Sequence, residues 1–371
     1  MNGAVSTEFW KDKRVFLTGH TGFKGSWLSL WLASMGARVR GYALAPDVPS
    51  LSALLDIGRD IDAIHADVRD ADALGRAMRG FRPDIVLHLA AQSLVRASYA
   101  DPIGTYSTNV MGTANLLEAV RACDSVRAVV VVTSDKCYEN REWLWGYRED
   151  EPMGGYDPYS SSKGCAELLV SSWRRSYFAA PGRPGGACRL ASARAGNVIG
   201  GGDWSRDRLV PDILKAFEDH RPVRIRFPNA IRPWQHVLEP LRGYLLLAER
   251  LFTHGSAFAE GWNFGPDADC ERTVSDIADR LCRLWGEGAA WEMDEGSQPH
   301  EARLLKLDSA KARARLEWLP WWTIDDTLAA IASWHRAYLD GCSVRDVTLA
   351  QIAGYQPKPQ PERRETLLVH A

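Results

Sequence analysis

Apolar and polar positions run along the first half of this chain in two rhythms. Short stretches that are apolar almost throughout, such as Val129-Val130-Val131-Val132, alternate with longer ones whose apolar residues recur every three or four positions. The first kind suits strands covered on both faces, and the second suits amphipathic helices. The pattern predicts strands at Arg14–Thr18, Arg38–Tyr42, Ile61–Ala66, Asp84–Leu89, Ala128–Thr133 and Ala187–Ala193. It predicts helices at Gly25–Met35, Ala71–Arg79, Pro102–Cys123 and Pro158–Ser176. Strand–helix alternation of this kind implies an α/β fold, a doubly wound parallel sheet of Rossmann-like type.

Past Asn197 the rhythm changes. Gly200-Gly201-Gly202-Asp203 breaks the chain, and short segments such as Val223–Phe227 follow, with helical spacing at Asp276–Leu284 and Asp326–Ala337. A smaller C-terminal substrate-binding lobe over the sheet's carboxyl edge fits this change, because open α/β sheets bind ligands there. Residues 10–196 are expected to form the dinucleotide-binding domain, with 232–262 returning to it. The lobe would comprise 197–231 and 263–350, and the Pro-rich, charged stretch 356–371 would be an extended tail.

Composition narrows the function. A net charge of −2 over 371 residues argues against a nucleic-acid or membrane-surface binder. The seven cysteines, 123, 137, 165, 188, 270, 282 and 342, show no metal-ligand spacing, so reduced thiols and no metal are expected. Residues 1–9 are polar and no run approaches the ~20 apolar residues of a membrane span. A cytoplasmic enzyme is the expectation.

Three clusters carry candidate chemistry. Gly19-His20-Thr21-Gly22-Phe23-Lys24-Gly25 lies between the first predicted strand and helix. Glycines at that spacing allow a tight turn, close approach of backbone to a pyrophosphate, and close helix–strand packing. The anion then meets amide N–H groups at a helix N-terminus. Asp67-Val68 would meet the adenine, Ala90-Ala91-Gln92 would line the middle of the cofactor, and Asn109 would support the site from a helix. The carboxylate that usually holds an NAD ribose is missing after Val39-Arg40-Gly41-Tyr42-Ala43-Leu44. Arg38 and Arg40 could suggest a 2′-phosphate but read better as solvated strand residues, so these positions leave NAD against NADP open.

Tyr159 and Lys163 are four apart, on one face of a helix. A phenol near pKa 10 is a poor base at neutral pH, and an adjacent ammonium favours its ionised form. Ser134-Asp135-Lys136 follows an apolar strand directly, on the ligand side of a parallel sheet. Ser134 can bond a substrate hydroxyl, and a buried Asp135 can retain a proton and act as a general acid.

Thr18–Gly25, Ser134-Asp135-Lys136 and Tyr159…Lys163 together resemble the extended short-chain dehydrogenase/reductase family, in particular its nucleotide-sugar branch. Longer segments resemble the 4,6-dehydratases of that branch: Thr18–Leu28, Tyr138–Lys163, Asn197-Val198-Ile199-Gly200-Gly201-Gly202-Asp203-Trp204 and Arg232-Pro233-Trp234-Gln235-His236-Val237. The resemblance implies NAD as cofactor and a nucleotide-diphosphate hexose, of cytidine type, as substrate. It implies that Tyr159 takes the C4 hydroxyl proton during oxidation and that Asp135 protonates the departing C6 hydroxyl. Many related dehydratases carry glutamate where Lys136 stands, so Lys136 is expected to handle the C5 proton, as an amine whose proton affinity is lowered. Asn197, Arg208, Arg232 and Arg303 are candidates for diphosphate or sugar; Arg208 and Arg303 could equally be structural salt-bridge residues. A homodimer or homotetramer through a four-helix interface, built from Pro102–Cys123 and Pro158–Ser176, is also implied. A 4-epimerase or reductase of the same fold would need the Tyr–Lys pair but not Asp135-Lys136. A non-catalytic dinucleotide sensor would need neither.

Overall fold

In a computed structural model, residues 3–178, 188–286, 288–294, 296 and 304–357 are described. The first strands are β1 (Arg14–Thr18), β2 (Arg38–Ala43), β3 (Asp62–His65) and β4 (Ile85–His88). They are followed by β5 (Ala128–Val132), β6 (Arg189–Ala195), β7 (Asn197–Ile199) and β8 (Val223–Ile225). The last are β9 (Ile231–His236), β10 (Gly261–Phe264), β11 (Glu271–Thr273) and β12 (Trp291–Met293). Seven of these form one sheet in the order β10-β6-β5-β4-β1-β2-β3, every pair parallel.

Successive residues of the central strands enter opposite cores, which explains why those strands are apolar throughout. Val15, Leu17, Ile85, Leu87, Val130 and Val132 join one buried cluster with the tryptophans Trp27, Trp31 and Trp262. Phe16, Val86, Val129 and Val131 join another with Leu116, Leu117 and Val170. Helices 23–34 and 238–254 cover the first face, and 71–81, 112–121 and 158–173 cover the second. Both faces must be covered for an all-parallel sheet to hide its apolar rows.

The predicted helix Pro102–Cys123 is one continuous rod with a wide π-turn at Ser107–Met111 between α-helical Pro102–Tyr106 and Gly112–Arg121. A second π-turn, Arg174–Phe178, continues the helix Pro158–Trp173. The strand predicted over Ala187–Ala193 begins at Arg189 and runs on to Ala195; Ala187 lies outside the described residues. Of the segment 356–371, only Gln356 and Pro357 are described.

The remaining strands build two small sheets, β11-β9-β7 and β12-β8. A third core joins them to helices 209–218, 274–285 and 324–339 through Ile213, Phe217, Trp234, Ile277, Leu281 and Leu328. β10, by contrast, returns to the edge of the large sheet. No helix among the described residues is long and apolar enough to cross a membrane.

Candidate active site

Strand order reverses between β1 and β4, and the loop after β1 opens at that switch point, where doubly wound sheets bind ligands. Gly19 has φ +79°, and a Cβ there would lie 2.7 Å from the Ala90 amide nitrogen. A Cβ on Gly25 would lie 2.0 Å from the Gly19 carbonyl oxygen. Only glycines let the loop fold against the end of β4 and turn into the helix Phe23–Ser34. Thr21 donates to the Leu44 carbonyl at 3.0 Å, joining the loop to the end of β2. The result is a cradle of backbone whose rim fits a dinucleotide pyrophosphate.

One cleft of about 1300 Å³ runs from this cradle toward the small sheets. Its walls include Gly19, Thr21, Gly22, Phe23, Lys24 and Gly25, then Asp67, Val68, Ala90 and Ala91. They also include Ser134, Asp135, Lys136, Tyr159 and Lys163, with Asn197, Arg208 and Arg232 toward the smaller lobe. Arg303 lies outside the described residues.

Some candidate side chains are turned elsewhere. His20 is buried against Gly41 and stacks on His65 with ring centroids 6.0 Å apart. Burial and the neighbouring His65 push its pKa down to about 4, so it is neutral. Gln92 bonds Thr105 Oγ1 at 2.9 Å and the Leu94 backbone, and acts as a brace for the loop after β4. Asn109 is buried and grips both the N–H and the carbonyl of Gln92, at 2.8 and 2.9 Å, while its amide also donates to Ser162. Arg38 and Arg40 pair with Asp12 and Asp62. Asp67 is occupied by Arg69 at 2.8 Å, and that partner holds its carboxyl below the usual range.

The chemistry-bearing face begins at a well-capped helix. Asp157 accepts from the Ser160 N–H at 2.9 Å, and Pro158 occupies the first turn. Tyr159 and Lys163 follow on its buried side, and Lys163 Nζ donates to the Val132 carbonyl at 3.4 Å. The sequence suggested a phenol made acidic by that ammonium. In the folded chain burial dominates: it pushes Tyr159 up to about 12, against the Ser134 hydrogen bond and the Arg208 charge. Burial likewise pushes Lys163 down to about 8, with Glu167 opposing it.

Ser134 caps the turn after β5, accepting from the Lys136 N–H at 3.2 Å and donating to Asp135 Oδ1 at 3.0 Å. Asp135 is 2% exposed, and its Oδ2 has no hydrogen-bond partner among the described residues. Burial raises its proton affinity, offset in part by Lys136, Ser134, Arg232 and Lys24. A carboxyl in that state can hold a proton to give away.

Lys24 was assigned from sequence only as part of the glycine loop. Its amine also faces the reacting groups: desolvation, Arg208 and Lys163 push it down to about 7, against Asp135 and Asp203. Asp203 was missed; it accepts from Arg208 at 3.1 Å and turns that guanidinium into the cleft wall, where it also meets Ser93. The Gly200–Asp203 breaker cluster was the available signal. Among the described residues no cluster of His, Cys, Asp and Glu could hold a metal ion.

Comparison with known proteins places this architecture. The profile of the GDP-mannose 4,6 dehydratase family matches residues 16–331. A CDP-glucose 4,6-dehydratase from Salmonella typhimurium is 55% identical over 350 residues, 93% of this chain and 98% of the relative. A dTDP-glucose 4,6-dehydratase from Escherichia coli is 27% identical, covering 73% of this chain and 77% of the relative. Among solved structures, the UDP-glucose 4-epimerase of Thermotoga maritima superposes with a TM-score of 0.76 at 21% identity, over 88% of this chain and 99% of that one. DesIV, a dTDP-glucose 4,6-dehydratase from Streptomyces venezuelae, gives 0.74 at 24% identity, over 89% of this chain and 98% of that one. With its glycine cradle, its Tyr–Lys helix and a match along nearly the whole chain, this protein belongs to the GDP-mannose 4,6 dehydratase family.

Proposed function

We propose that this chain is a CDP-D-glucose 4,6-dehydratase that uses NAD and converts its substrate to CDP-4-keto-6-deoxy-D-glucose. The glycine cradle, Asp67, Val68, Ala90 and Ala91 would hold the cofactor, with Asn109, His20 and Gln92 shaping the loops around it. NAD, when bound, supplies an acceptor that takes hydride from C4 of the sugar and gives it back at C6.

Tyr159 would take the C4 hydroxyl proton as that hydride leaves, its ionisation favoured against burial by Lys163 and by the positive charge that NAD brings when bound, with Ser134 bonding the same oxygen. The new ketone acidifies the C5–H bond. Lys136 removes the C5 proton, and Asp135 donates its own proton to the C6 hydroxyl, which departs as water. When hydride returns to C6, a proton is restored at C5. Asn197, Arg208 and Arg232, with Arg303, serve the diphosphate end, where guanidinium forks match phosphate oxygens.

What favours a lyase over an epimerase of the same fold is Asp135, buried with a raised proton affinity and sharing a cleft with Lys136 and Tyr159. The 55% identical relative supports the cytidine substrate. The test is incubation with CDP-D-glucose. The expected product has lost one water, absorbs as a 4-ketosugar in alkali, and forms without net cofactor consumption. An epimerised hexose of unchanged mass would overturn the proposal.

A homodimer or homotetramer forms in the same proposal, through helices 102–121 and 158–178, with the chain working in the cytoplasm. Ile103, Met111, Leu168 and Tyr177 on these helices are exposed, an apolar face of the kind that oligomers cover. Light scattering on the purified chain tests this, and a monomer at micromolar concentration would refute it.

A further inference from the structure

Behind the cleft lies a buried ion pair that the chemistry above does not use. Glu167 stands one helical turn beyond Lys163 and is 4% exposed. It accepts from Arg194 on β6 at 2.8 Å, from Ser192 on β6 at 2.7 Å, and from Thr133 Oγ1 at the end of β5 at 2.5 Å. Arg194 donates onward to Tyr138 Oη at 2.6 Å and to the Glu149 carbonyl at 3.0 Å, and Tyr138 donates to Asn263 at 2.7 Å.

The connections bracket the reacting groups. Thr133 immediately precedes Ser134-Asp135-Lys136, and Tyr138 lies two residues beyond Lys136, so the pair grips that segment at both ends. Glu167 itself rides on the helix of Tyr159 and Lys163. Lys163 Nζ and Glu167 Oε1 bond consecutive residues, Val132 and Thr133, at the same strand end. A buried pair of charges is costly unless its polar atoms are satisfied; both Glu167 oxygens and both terminal Arg194 nitrogens are, while Arg194 Nε has no hydrogen-bond partner among the described residues.

We propose that Glu167 and Arg194 are positioning residues. Their ion pair fixes the Ser134–Lys136 turn against the Tyr159–Lys163 helix face, and the Glu167 carboxylate is the counter-charge that keeps Lys163 an ammonium.

Charge considerations agree. Burial alone would raise Glu167, but Arg194, Thr133 and Ser192 hold it below the ordinary carboxylate range, so it is an anion. The groups that act on Lys163 are Glu167 on its own helix, Cys137 after β5, His88 on β4 and Lys24 from the glycine loop. Cys137 is pushed well up and His88 down to about 3 by burial, so both are neutral at pH 7. Among these groups, Glu167 is the anion.

The role in turnover rests on the dehydratase proposal, but the charge of Lys163 can be read without substrate. The full chain is labelled with ¹³C at lysine Cε, and the Lys163 signal is assigned with Lys163→Arg and titrated. In the wild type the midpoint is expected at or above about 8. A midpoint below neutrality overturns the proposal and leaves the dehydratase reading untouched. In Glu167→Gln the midpoint falls by ~1 unit. The alkaline limb of kcat moves down with it, kcat drops at least about tenfold, and KM changes less than about threefold. Glu167→Asp restores most of both. Ser192→Ala, which removes one hydrogen bond but no charge, leaves the midpoint in place. Equal shifts in Ser192→Ala and Glu167→Gln, or no shift in the latter, would reduce the pair to a structural role and overturn the proposal. Should Glu167→Gln fail to fold because Arg194 is stranded, Glu167→Gln/Arg194→Gln removes both charges and must still show a downward shift, a smaller one because loss of the Arg194 cation acts in the opposite direction.

Discussion

Replacing Asp135 by asparagine should split the reaction into its halves. The two side chains have the same shape, and the Asn Oδ1 can keep the Ser134 hydroxyl bond that Asp135 accepts at 3.0 Å. Burial raises the proton affinity of Asp135, so an uncharged amide of the same shape suits the site, and the substitution should cost the fold about 1 kcal/mol. What disappears is the proton. A positioned general acid is worth ~10²–10⁴ in rate, or about 3–5 kcal/mol of barrier, and that loss should fall on expulsion of the C6 hydroxyl. Oxidation at C4 draws on Tyr159 and Ser134 instead, and should slow by less than about tenfold. The assay is a single turnover followed by the near-ultraviolet absorbance of reduced cofactor, with quenched samples analysed for products. Reduced cofactor should accumulate to near the enzyme concentration while the deoxy sugar appears slowly. Equal slowing of both phases, with no accumulation, would refute the assignment of Asp135 as the acid.

Three further outcomes are expected. Gly19→Ala places a Cβ 2.7 Å from the Ala90 nitrogen at a φ of +79°, so the cradle must deform; dinucleotide binding measured by calorimetry should weaken at least about tenfold, with ~1–3 kcal/mol of stability lost. Glu239 is 1% exposed and accepts from the Trp321 and Trp322 N–H groups at 2.9 and 2.8 Å while facing Arg242; Glu239→Gln should cost about 3 kcal/mol in denaturant unfolding by stranding that guanidinium. Burial pushes Glu249 from 4.5 up to about 7 against its bonds to Ser6 and Trp10, so the folded chain binds this proton more tightly than the unfolded one. Stability should therefore fall as pH rises between those two values and level off above them, and Glu249→Gln should remove that slope from a plot of Tm against pH.

Much of the large sheet was legible because its signal is local. A strand buried on both faces must be apolar throughout, and β5, with Val129 and Val131 in one core and Val130 and Val132 in the other, could not hide that. The glycine loop and the Tyr159–Lys163 spacing were legible for the same reason, each lying within one turn of chain. Boundaries were less so. The helix 274–285 starts two residues before Asp276 because Thr273 caps it, and the π-turn at Ser107–Met111 leaves no mark in apolar spacing. Side-chain direction was the other gap. His20 and Gln92 sit in the right segments but turn to Gly41 and Thr105, and only the tertiary neighbours decide that. Nothing in the local sequence marks Glu167 or Arg194. Their pairing joins residues that become neighbours only when the helix Pro158–Trp173 packs against β6.

The most direct measurement starts from CDP-D-glucose carrying deuterium at C4, with the enzyme in ordinary water. Deuterium recovered at C6 of the product, with C5 carrying solvent hydrogen, is the expected result. Deuterium lost to solvent, released on free cofactor, or still at C4 of an unreduced hexose would contradict a hydride that leaves and returns within one closed site.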